Sequence, residues 1–157
     1  MKKTRQSQRM KTWEDKFSYK LRKRHKHMWK HAFHRLMKKS STLRSSLKRR
    51  SKEYEVEFNI SLAQIRELLR AAYGRQCNYC DVILDVSNIV CDHCTPLSMG
   101  GKTNVKNLQM ICKRCNTRKG PLKSKDFSNL LKYLNKQNEH VRGYVLRKLE
   151  SSDVMNR

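Results

Sequence analysis

Apolar residues recur at helical spacing along much of this chain. Met10, Trp13, Phe17 and Leu21 form one run, and Trp29, Phe33 and Leu36 form another. No Pro or Gly interrupts them, so a long basic amphipathic helix is predicted from about Thr12 to Lys39. Ser40, Ser41, Thr42, Ser45 and Ser46 then read as a polar break, followed by the basic run Lys48-Arg49-Arg50-Ser51-Lys52. A second helix is marked by Leu62, Ile65, Leu68 and Leu69, with Ser61 as its cap and Gly74 as its stop. Between Val82 and Val90 the pattern alternates, which predicts short strands. Beyond Gly120-Pro121, Ser124 is placed to cap a helix with Phe127, Leu130, Leu131 and Leu134 inward. A last helix is predicted from about Glu139 to Leu149, and no internal repeat is present. The fold class is therefore α+β. The expected division is a basic helical arm over 1–55, a core over 56–137, and a C-terminal helix and tail over 138–157.

Composition narrows the role of these elements. The chain has 157 residues, of which 37% are hydrophobic, so one small core is expected, in need of a staple. The net charge is +24, and residues 1–55 hold 20 Lys+Arg against 4 Asp+Glu. Two thirds of the surplus thus lies in the first third of the chain. Such a surplus points to a polyanion, nucleic acid first. The arm is read as packing its aromatic stripe inward while its basic face, Lys48, Arg49 and Arg50 included, lies along phosphates. No apolar run approaches the roughly 20 residues that span a bilayer. The basic N-terminus lacks the apolar stretch of a secretory signal. A soluble, cytoplasmic protein with no membrane partner is expected.

The six cysteines form three C-x-x-C pairs: Cys77 and Cys80, Cys91 and Cys94, Cys112 and Cys115. In a reducing compartment such pairs are metal ligands more often than disulfides. Cys77, Cys80, Cys112 and Cys115 read as two knuckles closing one tetrahedral Zn2+ site. Four thiolates leave no open position, so this zinc is structural. Cys91 and Cys94 bracket Asp92-His93 and are read as small buried side chains. His27, His31 and His34 share a helical face, but surrounding cations disfavour a metal there.

Between the outer knuckles stand Asp92-His93, Pro96, Gly100-Gly101, Asn107-Leu108, then Cys112-x-x-Cys115-Asn116 and Lys119-Gly120. Phosphodiester hydrolysis needs a base for water, a cation for the developing charge and a grip on the phosphate. An imidazole, with a reference pKa of about 6.5, suits the base, which makes His93 the candidate. Asp92 offers a hard oxygen to Mg2+ or Mn2+. Arg114, Arg118 and Lys119 are candidate phosphate contacts.

In order and spacing, these residues resemble the HNH endonucleases over about residues 60–135. The resemblance implies a ββα-metal fold around one divalent ion, with Asn116 as its second ligand. It implies that Asn107 pins the loop and orients His93. It also implies DNA cleavage to 5′-phosphate and 3′-hydroxyl ends, by an enzyme like the free-standing phage-encoded or homing type. One centre per chain cuts one strand, so a monomer nicks and a homodimer breaks both. Two features depart from the family pattern. Asn116 stands where some members have His. Cys91 and Cys94 replace apolar residues, which raises a redox-sensitive or zinc-blocked centre. The alternatives are a non-catalytic zinc module that only binds nucleic acid, and an RNA-directed nuclease.

Overall fold

The computed structural model describes the backbone of residues 26–152 and the side chains of residues 31–151. The aromatic stripe Met10 to Leu21 lies outside the described residues. The chain divides into two compact units, residues 1–35 and 36–157.

The first helix, α1 (Lys26–Glu53), crosses that division. It continues straight through the serine-rich stretch that the sequence suggested as a break. Ser40 donates to the Met37 carbonyl at 2.5 Å and Ser51 to the Leu47 carbonyl at 2.8 Å. A serine bonded back to its own helix needs no solvent and no turn. Leu36, Ser40, Leu43, Leu47 and Ser51 share one face at helical spacing. Leu36, Ser40, Leu47 and Ser51 are buried and Leu43 is packed against the core. The small serines let this face approach the core closely. Part of the segment expected as an arm, Leu36 to Ser51, thus packs on the core expected over 56–137. Leu36 and Leu47 belong to the same core as Ile65, Ile89 and Ile111.

The helix ends where Glu55 turns left-handed (φ 53°), with Val56 N–H bonded to Ser51 O at 2.9 Å. The short strand β1 (Phe58–Asn59) follows, and Ser61 caps α2 (Leu62–Ala72) through a capping box with Gln64. Next come β2 (Gln76–Cys77), β3 (Cys80–Ile83), β4 (Ile89–His93), β5 (Thr103–Asn104) and β6 (Leu108–Cys112). The helices α3 (Lys113–Lys119), α4 (Ser124–Leu134) and α5 (Glu139–Ser152) complete the described residues. Ser124 is the first residue of α4 rather than its cap, which is Lys123 without a side-chain bond. Phe127 and Leu134 are fully buried, while Leu130 and Leu131 are half-buried.

The strands form three two-stranded sheets: β1 parallel to β5, and β2–β3 and β4–β6 antiparallel. Along β4, Ile89, Cys91 and His93 turn inward while Val90 and Asp92 are half-buried, the alternation expected of a strand. The ladder pairs Ile89 with Cys112 and His93 with Leu108. One ladder thus carries Cys112 at one end and Asp92-His93 at the other. This mixed α+β arrangement, a short β pair followed by α3 against it, is consistent with the small core that the sequence resemblance implies.

Candidate active site and metal centre

The first knuckle is a tight hairpin that places Cys77 opposite Cys80. The second is a strand-to-helix junction in which Cys112 caps α3 and accepts the Cys115 N–H at 3.4 Å. The four sulfur atoms lie within 4.8 Å of one another, and Cys80 Sγ is 3.7 Å from Cys112 Sγ. Tetrahedral bonds of about 2.3 Å to zinc put sulfurs roughly 3.8 Å apart, so the donor set fits that ion. The thiols already compete for protons. A hydrogen bond from Cys115 draws Cys77 down to about 4, and the same bond pushes Cys115 up. A divalent cation removes that conflict by taking all four as thiolates. Cys91 and Cys94 stand outside this cluster. Cys91 is buried on β4, where desolvation pushes its thiol up to about 12.

Asp92 and His93 end β4 and enter a cleft of about 290 Å3. Arg50 and Tyr54 line the same cleft, with Pro96, Leu97, Lys119 and Gly120. Asp92 Oδ2 accepts from the Gln109 amide at 2.9 Å. Both its oxygens lie near Lys119 Nζ, Oδ2 at 3.2 Å and Oδ1 at 3.3 Å. Lys119 also donates to the His93 carbonyl at 3.0 Å. A carboxylate offers about four lone-pair directions, so these donors leave capacity for a hard cation. The Gln109 amide nitrogen also lies 2.9 Å from Tyr79 OH and 2.8 Å from Ser124 Oγ. Tyr79 in turn sits edge-on to Phe127, with centroids 4.9 Å apart.

His93 is 3% exposed, and its Nε2 lies 2.8 Å from Thr103 Oγ1. Burial first, then the positive charges of Arg50 and Lys119, depress its pKa from 6.5 to about 4. The imidazole is therefore neutral at pH 7, as a base must be.

The remaining predicted residues fall in different places. Asn107 accepts the Thr95 N–H at 2.8 Å and donates to Thr95 O at 3.0 Å and Lys102 O at 2.8 Å. It staples the loop that leaves His93. Asn116 is half-buried on α3, one turn before Lys119, and does not line the cleft. Arg114 and Arg118 both bond Glu150 of α5, at 2.6 and 2.7 Å, away from the cleft. Arg50 reaches the cleft, whereas Lys48 is exposed elsewhere and Arg49 pairs with Glu53. His31 and His34 are exposed and join no metal-ligating group among the described residues. Ser51, Thr103, Gln109, Tyr79 and Ser124 were not singled out as functional by the sequence. They are common residue types whose partners lie elsewhere in the chain, so the sequence gives no sign of a role for them in the site.

Residues 77–131 match the family model described as HNH endonuclease. No curated protein matches the chain. The match supports a nuclease-type hydrolase acting on nucleic acid. Among the described residues no helix is long and apolar enough to cross a membrane.

Proposed function

We propose that this protein is a metal-dependent endonuclease that hydrolyses DNA phosphodiester bonds, with His93 as general base. The observation that carries the reading is a neutral, buried imidazole in one cleft with a carboxylate, a lysine and an arginine. Among the described residues His93 Nδ1 takes no hydrogen bond, yet no buried side-chain nitrogen or oxygen lacks a partner. Nδ1 is therefore not sealed off, and on this reading it faces the cleft that His93 lines, where a water can give it a proton. Arg50 and Lys119 supply positive charge to grip a phosphate and stabilise the charge that develops on it. Asp92, which lines the cleft, would hold Mg2+ or Mn2+ there. Such an ion polarises a phosphoryl oxygen and supplies Lewis acidity. The structural zinc stays out of the chemistry because its four thiolates leave no position for water. The basic segment before the core adds phosphate contacts that carry affinity without sequence information. Each chain cuts one strand, leaving 5′-phosphate and 3′-hydroxyl ends.

The test is cleavage of supercoiled plasmid with Mg2+, Mn2+ or EDTA, by wild type and by His93→Ala. Metal-dependent nicking that falls about 10²–10⁴-fold in the variant supports the reading, since that is the usual worth of a positioned base. Binding without cutting by both proteins, on DNA and on RNA, replaces it with a nucleic-acid-binding module. Cleavage of RNA alone keeps the chemistry and changes the substrate.

A further inference from the structure

Ser51, Thr103 and His93 meet in the interior although they come from three separate elements. Ser51 is on α1, outside the matched segment 77–131, and Thr103 is on β5. They are 1%, 0% and 3% exposed. Ser51 Oγ is 2.6 Å from Thr103 Oγ1, which is 2.8 Å from His93 Nε2. The backbone holds this line of atoms from both sides. Thr103 N–H donates to Glu57 O at 2.8 Å, and Phe58 pairs with Thr103 in the β1–β5 register. The left-handed turn at Glu55 folds that strand back beneath the end of α1.

The proton count gives the line a direction. A hydroxyl has one proton and can accept more than one. Ser51 donates its proton to the Leu47 carbonyl at 2.8 Å. It can then only accept from Thr103, whose proton is thereby used. Thr103 can then only accept from His93, so the proton sits on Nε2 and Nδ1 carries the lone pair. The choice of ring nitrogen matters, because a base in the wrong tautomer cannot take a proton from water.

We propose that Ser51 and Thr103 are positioning residues: a buried hydroxyl relay from α1 that holds His93 as its Nε2–H tautomer and aims Nδ1 into the cleft. The proposal rests on the nuclease reading for its purpose, though not for its geometry. It makes the helix that precedes the matched segment part of the active site.

Two readouts on the full zinc-loaded chain test it. The first is the ring ¹⁵N shifts of His93 by NMR at neutral pH, assigned by their loss in His93→Gln. Wild type is expected to show a protonated Nε2 and an unprotonated Nδ1. The reverse pattern overturns the proposal whether or not the protein cuts DNA. The second is plasmid nicking by Thr103→Val, Thr103→Ser and Ser51→Ala. Thr103→Val should mix the tautomers and lower kcat roughly 10- to 100-fold, the usual cost of removing a partner that orients a histidine, with KM unchanged. Thr103→Ser keeps the hydroxyl and should restore both the shifts and kcat. Ser51→Ala frees the Thr103 proton to turn toward the ring, so it should raise the Nδ1–H population with a smaller loss of kcat. Wild-type shifts and kcat in both Thr103→Val and Ser51→Ala overturn the relay. If Thr103→Val fails to fold, the Ser51→Ala shifts decide alone. A protein inactive on every nucleic acid, yet showing the expected wild-type shifts, removes the nuclease reading and leaves the relay standing.

Discussion

Lys119 Nζ lies 3.2 Å from Asp92 Oδ2, with the lysine side chain 1% exposed and the carboxylate 12%. A pair this enclosed is costly to halve, because the surviving charge has little water to turn to. Lys119→Ala should lower unfolding free energy by about 3 kcal/mol in urea titration. Combining Lys119→Met with Asp92→Asn should recover much of that loss, since the Gln109 amide can still donate to an Asn oxygen. The recovered protein should not cut. A double variant as unstable as Lys119→Ala would refute the ion pair as the cause.

The histidine makes a pH prediction with a definite sign. His93 has its pKa lowered to about 4 by burial, then by Arg50, then by Lys119. Between roughly pH 4 and 6.5 the unfolded chain binds the proton that the folded chain refuses. Stability should therefore fall as pH falls through that window. The acid limb of single-turnover cleavage should lie well below pH 6.5, and Arg50→Ala should move it upward. An acid limb near 6.5 in wild type, unmoved by Arg50→Ala, would contradict this.

The loop after His93 makes separate uses of its two glycines. A Cβ on Gly101 would overlap the Thr95 carbonyl oxygen, whereas a Cβ on Gly100 meets open space. Gly100 needs its freedom for a φ of 75°. Gly101→Ala forces backbone apart and should cost about 1–3 kcal/mol by thermal melting, with reduced cleavage and full zinc content. Gly100→Ala should cost about 1–2 kcal/mol and spare more activity. The opposite order of the two would be evidence against the packing argument.

Truncation tests the boundary. Leu36 and Leu47 are 4% and 3% exposed in the shared core. Each such leucine is worth about 1.5–3 kcal/mol, against a total stability of roughly 5–15 kcal/mol for a domain. A chain of residues 36–157 should fold cooperatively by circular dichroism, and one of residues 56–157 should not. Residues 1–35 hold 13 Lys+Arg and 2 Asp+Glu. Their removal should flatten the salt dependence of DNA affinity, measured by anisotropy across a salt series. A slope equal to that of the full chain would deny them phosphate contacts.

The parts legible in the sequence are those whose chemistry is local. A two-residue gap between cysteines forces a turn whatever the fold, and Asp92-His93 are neighbours in the chain. The second helix was legible because Ser61 and Gly74 bound a clear apolar stripe. What escaped depends on contacts across long separations: Ser51 and Thr103 are 52 residues apart, and Tyr79 and Gln109 are 30 apart. Serine was misread in α1 for a related reason. By local preference Ser40 and its polar neighbours suggest a break, and only packing against the core shows why small hydroxyls suit that helix face. The pairing of Arg114 and Arg118 with Glu150 of α5 is likewise invisible in the sequence, where Glu150 stands 36 and 32 residues from them.

The β4–β6 ladder sets an order of failure for the molecule. At one end Ile89 faces Cys112; at the other, His93 faces Leu108, four residues along and roughly 13 Å away. If the four cysteines hold zinc, removing it should free the strands at the Cys112 end first and leave Asp92-His93 the last to part. Inactivation by a chelator should thus trail metal release as a distinct, slower event. Within that lag, returning the metal should rescue the protein without a full refolding.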